Sequence, residues 1–437
     1  MRLFYNDTLS NNYDILLEDQ GLIDASNNWV NSDIIEKSAI HLPIFNTPLG
    51  SISILYGPRQ IGKTASLKLF LTTVKDTQTI VFTDCSIILQ KNDLYQHLKR
   101  VISGPTTIVL DEVQSIPDWH HALRAAYSEG LLKNCRIWCT GSEARHLLES
   151  GERLPGRKGQ GKVIFARPWS FREYVQIFYP DIRPSLDPFR LAHINQKWLD
   201  DQKIDLSVAW SHYKICGGFP RCVAEFSKTK QISDSTYSLY TDWILGTWTE
   251  LRTSERSLVA LSSKMIRSLN SRVSYESLRS DTDIQSPNTV KKLIELQEDH
   301  FSVRSITRYD WHKERFLPTK LKKIYPLDPF IARIWNMIGK NIRRRFYEQE
   351  EQLALDECAF LTQTFRTEQS TDVGYLYSES TQSEIDFYFE GVAIELKSQG
   401  HPTPKQRKIM KECRSALTVS SAKLPIIAYL VGESRFG

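Results

Sequence analysis

The 437-residue sequence has no apolar run approaching the ~18 residues that a membrane-spanning helix needs, so no membrane partner is expected. Its start, Met1-Arg2-Leu3-Phe4-Tyr5-Asn6-Asp7, meets an acid before any apolar core forms, and no secretory leader is expected. No His or Cys cluster at zinc spacing accompanies the seven cysteines, which are odd in number and scattered at 85, 135, 139, 216, 222, 358 and 413. They read as reduced core thiols of a cytoplasmic protein. There is no internal repeat, no long low-complexity tract and no second phosphate loop. Neither sign of charge dominates: 56 Lys and Arg against 51 Asp and Glu leave a net charge of +5. That balance permits a nucleic-acid partner without arguing for one.

What is present is enough chain for about two to four domains. Residues 1–50 are mixed and polar and read as an N-terminal extension. From Ser51 short apolar runs bounded by turn residues alternate with stretches of helical period, the rhythm of a parallel α/β fold. The runs are Ile52–Tyr56, Thr79–Phe82, Thr106–Leu110 and Arg136–Thr140. Residues 170–251 look helical and aromatic. Beyond them come a helix from Ser257, a second at Tyr275–Arg279 and a third from Pro287. Ser286 is a good N-cap for the third helix and Pro287 a good first residue. The alternating Phe301–Ile306 then reads as a β-wing, which gives a winged-helix pattern. A basic connector with Lys320, Lys322, Lys323 and Arg343–Arg345 follows. Paired strands are expected at Glu384–Phe389 and Val392–Leu396, with a last strand near Pro425–Val431.

Gly57-Pro58-Arg59-Gln60-Ile61-Gly62-Lys63-Thr64 fits G-x-x-x-x-G-K-[ST] and lies between an apolar strand and a helix. Its glycines let the backbone wrap close to phosphate with the amides pointing inward. Lys63 would reach the β and γ phosphates of ATP, and Thr64 would hold Mg²⁺ through its hydroxyl. Asp111 and Glu112 follow a second apolar strand that ends at Leu110. Two acids there are commonly a surface turn. Paired with the loop, Asp111 suits the magnesium shell and Glu112 the polarisation of attacking water. Thr140 ends a further strand, with Gly141 and Ser142 after it, and could offer a polar group to the γ phosphate. Arg157 is a candidate for stabilising charge across a lid or subunit interface, or a solvated loop cation.

Three stretches together resemble a family of bacterial and archaeal ATPases that join an AAA-type P-loop domain to a C-terminal domain of uncharacterised function. They are the loop Gly57–Thr64; Asp111-Glu112-Val113-Gln114 with Pro117 and Trp119; and Thr140–Ser142, Gly156-Arg157 and Pro168–Tyr174. Gly217-Gly218-Phe219-Pro220 looks like the family's turn in its helical region. Trp169 departs from the family, which more often has a small aliphatic residue there, and so does the long Lys158–Lys162 insert. The resemblance implies a winged helix and a nuclease-like terminal domain.

Near the end, Asp386 and Glu395 would approach each other across a hairpin turning at Glu390-Gly391, while Glu395 and Lys397 share a face by the two-residue strand period. Such a set would bind a divalent cation and orient hydroxide for attack on a phosphodiester. It looks like the PD-(D/E)XK nuclease core, with Mg²⁺ or Mn²⁺ at Asp386 and Glu395, Lys397 catalytic, and Glu351 or Glu357 as an extra acid. A solvated charged hairpin is the plainer alternative.

The expected fold is therefore α/β: a P-loop NTPase parallel sheet (51–165) with a helical lid (166–255), a winged-helix domain (256–315) and an α/β nuclease-like domain (316–437). Lys291 and Lys292 could face DNA from the third helix, although Glu295, Glu298 and Asp299 on the same helix would repel phosphates. The expected function is ATP hydrolysis coupled to DNA binding and metal-dependent DNA cleavage, suited to defence against foreign DNA, in a chain that could form a homo-oligomer. The alternative is an ATP-switched DNA-binding scaffold with an inert nuclease-like domain. A processive helicase is a weaker third reading, because the additional motor motifs are missing.

Overall fold

The computed structural model describes residues 2–6, 8–10, 16, 42–143, 159–182, 191–248, 254–339, 350–365, 373–398 and 400–432. Arg157 and Arg343–Arg345 lie outside the described residues, as does the side chain of Glu351.

The first half is built on a seven-stranded sheet. Its strands are β1 (Arg2–Tyr5), β2 (Thr8–Ser10), β3 (Ser51–Tyr56), β4 (Thr79–Asp84), β5 (Thr106–Asp111), β6 (Cys135–Gly141) and β7 (Val163–Phe165), in the order β2-β1-β4-β5-β6-β3-β7. All neighbours are parallel except β1 and β2. Helices α1 (Lys63–Thr73), α2 (Lys91–Val101) and α3 (Trp119–Ser128) supply the crossovers. Successive residues of β5 feed opposite cores: Val109 joins α1's Leu67 and Leu71, while Ile108 and Leu110 join Leu94 and Leu98 of α2 and Leu123 of α3. A sheet covered on both faces needs continuous apolar strands, which explains the run from Ile108 to Leu110. The polar start of the chain contributes two strands of this sheet, with Leu3 fully buried; only four and three residues long, they carry little period.

Five helices follow: α4 (Phe171–Phe178), α5 (Gln196–Asp201), α6 (Ser207–Cys216), α7 (Pro220–Thr229) and α8 (Asp234–Trp248). Ser170 and Glu173 form a capping box on α4, and Glu173 also takes a buried ion pair from Arg167 at 2.9 Å. Then come α9 (Glu255–Arg267), α10 (Tyr275–Arg279) and α11 (Pro287–Asp299), with Ser286 capping α11 through the Thr289 amide as expected.

The second sheet crosses the expected boundary at 315/316. β8 (Val303–Asp310) and β9 (Arg315–Pro326) pair as an antiparallel hairpin, and β8 then pairs in parallel with β10 (Val373–Ser378). With β11 (Ser383–Phe389), β12 (Val392–Lys397) and β13 (Ser415–Ser420), the order is β13-β12-β11-β10-β8-β9. Residues 256–315 and 316–437 therefore share one sheet. The expected basic connector at Lys322 and Lys323 is the body of β9, and Lys323 is fully buried. Around the sheet lie α12 (Pro329–Gly339), α13 (Glu350–Gln363), α14 (Pro404–Glu412) and α15 (Leu424–Val431). The expected last strand is thus the helix α15. A short apolar run is ambiguous between buried strand and buried helix, and the proline at its start suits a helix.

The halves are stitched together by buried polar bonds. Gly218 N donates to Asp328 Oδ2 at 2.7 Å, and Gly218 O accepts from Trp169 N at 2.8 Å. Phe171 N donates to Gln363 Oε1 at 2.6 Å, and Arg172 Nε to Tyr429 O at 3.1 Å. No described helix is long and apolar enough to cross a membrane.

Candidate active site

The loop Gly57–Gly62 leaves the end of β3 and enters α1. Gly57 has φ 155°, and a Cβ there would lie 2.3 Å from Ala166 O, so the backbone passes where only glycine fits. Gly62 caps α1 at φ 87°, left-handed, which turns the first amides of the helix toward the loop's hollow. Lys63 is buried and donates from Nζ to Gly57 O and Pro58 O, both at 2.9 Å. Burial pushes its pKa down, against the pull of Glu112 and Asp111. A phosphate in the hollow offers that ammonium charged oxygens in place of two neutral carbonyls.

The acids converge on the same place from β5. Thr64 Oγ1 lies 2.9 and 3.1 Å from the two oxygens of Asp111. Thr140 Oγ1, on the strand between β3 and β5, donates to Asp111 Oδ1 at 2.5 Å and accepts from Glu112 N at 3.0 Å. Thr140 thus orients the acid pair. Burial raises the Asp111 pKa, and the hydroxyls of Thr140 and Thr64 oppose that rise. The hydroxyl and carboxylate oxygens of Thr64 and Asp111 suit a hard cation such as Mg²⁺. Glu112 sits in the left-handed region at φ 50°, with Oε2 accepting from Ser142 Oγ at 3.1 Å and from Gln114 Nε2. Ser142 and Gln114 were not picked out as Glu112's partners from the sequence; both stand within the short motifs around Asp111 and Thr140.

The rim of this site is made by the other half of the chain. Phe301, just after α11, packs its ring 6.0 Å from Tyr56 at the end of β3 and 5.2 Å from Phe165. His300 beside it is buried; burial, with Arg59 of the phosphate loop adding to it, pushes its pKa down to about 4.

A second cluster lies on the other sheet. Asp386 and Glu395 occupy adjacent antiparallel strands as expected, and Asp386 Oδ2 accepts from Leu396 N at 2.9 Å. Glu395 Oε1 meets Lys397 Nζ at 2.7 Å and also accepts from Gln406 Nε2, while its buried Oε2 has no hydrogen-bond partner. Burial raises the Glu395 pKa to about 7. The unexpected member is Lys323, whose Nζ is 2.9 Å from Glu384, 3.4 Å from Asp386 and 3.8 Å from Glu357. Burial alone would lower its pKa, but the carboxylates of Glu357, Asp386 and Glu384 raise it. Tyr325 donates to Glu357 at 2.5 Å, and Arg272 pairs with Glu384 at 2.7 Å.

The acids expected to hold a divalent cation are already engaged by protein groups, apart from Oε2 of Glu395. Asp386 already spends one oxygen on an ammonium and the other on a backbone amide. Among the described residues, the terminal acids bring no three ligand atoms within 4.8 Å of one another; Asp118, His120 and His121 do, but Asp118 is paired with Lys91 at 3.2 Å.

Residues 50–175, which hold β3 to β7 and the phosphate loop, match the family model described as an AAA domain. The comparison with curated proteins gave no match. Among solved structures, the chain is similar to a Walker-type ATPase of Pyrococcus abyssi, with 15% identity, a TM-score of 0.44, and 69% of this chain and 95% of that one covered. It is also similar to the Aeropyrum pernix Orc1 protein solved with DNA, with 14% identity, a TM-score of 0.34, and 76% and 97% covered. A Thermotoga maritima RuvB variant gives 14% identity, a TM-score of 0.33, and 63% and 89% covered. At these values the solved structures bear on neither substrate nor partner.

Proposed function

We propose that the chain hydrolyses ATP and uses the nucleotide state to set how its C-terminal half engages nucleic acid. Thr64, Asp111, Thr140 and Glu112 meeting at the mouth of the phosphate loop is the observation that carries this reading. Thr64 and Asp111 hold Mg²⁺, and the loop amides with Lys63 hold the phosphates. Bound magnesium neutralises charge on the β and γ phosphates. Glu112, steadied by Ser142 and Gln114, polarises the attacking water.

Coupling follows from the rim. Phe301 closes α11 against Tyr56 and Phe165 at the foot of the phosphate loop, and the charge of Arg59 is felt at His300 beside it, so a change at the loop would reach the helix that carries exposed Lys291 and Lys292. Those lysines face a nucleic-acid backbone. Glu298 accepts from the Ser305 amide at 2.9 Å, which lessens its repulsion, while Glu295 pairs with Lys291 itself at 3.6 Å and takes up part of that lysine's charge. The nuclease-like sheet serves as scaffold in this reading, since its acids are already held by lysine and arginine.

The test is DNA affinity, with duplex and single strand, in ATP, ADP and no nucleotide. The reading expects affinity to change with nucleotide in the wild type and to lose that dependence in Lys63→Ala. Equal affinity in all three states would refute it.

A further inference from the structure

The acids Glu357, Glu384, Asp386 and Glu395 come from α13, β11 and β12, and in an enzyme of this geometry they would be expected to share a divalent metal. Here their positive partners are protein. Lys323 reaches Glu384, Asp386 and Glu357, Arg272 takes the other oxygen of Glu384, and Lys397 takes Glu395. Lys323 is the innermost of the three cations, fully buried, whereas Lys397 and Arg272 are about one-quarter exposed.

We infer that the ammonium of Lys323 is the resident cation of this acid pocket, taking the place of a divalent metal, so that the terminal sheet keeps its nuclease-like arrangement without metal and does not cleave nucleic acid. A buried ammonium is tolerated only where carboxylates surround it, and Lys323 has three of them. The converse holds as well. Clustered buried carboxylates need a counter-charge, and a lysine carried on β9 supplies it permanently, at no dependence on metal concentration. The side chain comes from the β8–β9 hairpin, while the acids come from the strands and helix that follow. The pairing therefore also locks that hairpin to the terminal segment, through Tyr325 on the same strand and its bond to Glu357.

Charge counting predicts what removal does. Lys323→Gln leaves Glu357, Glu384 and Asp386 facing only Arg272 from outside, and a divalent cation then finds an acid pocket to enter. The variant should lose stability and regain it on adding Mn²⁺.

The experiment is Mn²⁺ titration of the nucleotide-free full chain, followed by electron paramagnetic resonance and by thermal unfolding. Wild type is expected to show no Mn²⁺ site that Asp386→Asn or Glu395→Gln removes, and no metal-dependent rise in Tm from this sheet. Lys323→Gln is expected to gain a Mn²⁺ site and a metal-dependent rise in Tm, both absent from Lys323→Gln/Asp386→Asn. A wild-type Mn²⁺ site lost in Asp386→Asn or Glu395→Gln overturns the inference, as does metal-dependent DNA cleavage by the wild type that either variant abolishes. Should Lys323→Gln fail to fold even with Mn²⁺, the wild-type titration against the two acid variants still decides. Since the readout uses no nucleotide, its outcome is separate from that of the ATP-driven reading.

Discussion

Thr64 and Asp111 stand 47 residues apart in the sequence, yet the threonine hydroxyl lies within 3.1 Å of both oxygens of the carboxylate. The pair joins the start of α1 to the end of β5, which puts the phosphate loop and the acid strand into one site. Thr140 reaches the same carboxylate from the strand between them. One helix and two strands thereby bring Thr64, Asp111 and Thr140 to one place beside the loop.

Thr64→Ala and Asp111→Asn are expected to remove the cation's ligands while leaving the loop amides in place. Losing one such preorganised charge-stabilising contact commonly costs about 10²–10³ in rate. Steady-state phosphate release across a Mg²⁺ series checks this: both variants should be slow at every concentration. Thr140→Val should act more mildly, through misplacement of Asp111 and Glu112. A Thr64→Ala rate equal to wild type at saturating Mg²⁺ would remove that residue from the metal shell.

His300 gives a pH signature. Its pKa is depressed from the ordinary 6.5 to about 4, so the folded chain keeps it neutral where the unfolded chain would protonate it. The unfolded state binds more protons between those values, and stability rises with pH there. The contribution is complete above about pH 6.5 and is lost as pH falls toward 4. At about 1.4 kcal/mol per pKa unit, its upper bound is about 3 kcal/mol. Urea midpoints of wild type and His300→Phe at pH 5 and pH 7.5 check it: the variant should show a smaller difference between the two. An unchanged difference would show His300 to be protonated or exposed.

Asp328 should be the most sensitive single position at the junction. It is fully buried and accepts from Gly218 N at 2.7 Å and Phe330 N at 2.8 Å, so Asp328→Ala orphans amides on two elements. Each orphaned buried donor costs about 1–3 kcal/mol. Asp328→Asn keeps one acceptor oxygen and should lose only part of that stability. Denaturant unfolding of the three proteins orders them wild type, Asn, Ala; an Ala variant as stable as wild type would show that the turn at Gly217-Gly218 is held by packing alone.

The strand–loop–helix around Gly57–Thr64 and the place of Asp111 and Glu112 were legible in the sequence because their signals are local: the loop spans eight residues, and the acids directly follow an apolar strand. Thr140 was placed correctly at a strand end, although the structure turns its hydroxyl to Asp111 and the Glu112 amide. The cap at Ser286 and the hairpin of Asp386 and Glu395 were legible for the same reason. What the sequence hid depends on distant pairing. β1 is only four residues long, too short to carry a diagnostic period, and it is held by its parallel pairing with β4. The apolar run Leu424–Val431 satisfies strand and helix equally until its neighbours are known. Lys323 reads as part of a basic connector, since nothing local says that Glu357 and Glu384 will enclose it. The β8–β9 hairpin likewise reads as the end of one unit, and only the parallel pairing of β8 with β10 makes it part of the next.

In the proposed function Glu112 activates water at a site that binds ATP without it. The direct measurement is phosphate release from ATP by wild type, Lys63→Ala and Glu112→Gln, with nucleotide binding measured in parallel. The account predicts that Glu112→Gln binds ATP as the wild type does and hydrolyses it slower by about 10²–10⁴, the usual worth of a positioned base. Lys63→Ala should lose binding and hydrolysis together. A Glu112→Gln variant that hydrolyses ATP at the wild-type rate would contradict the account.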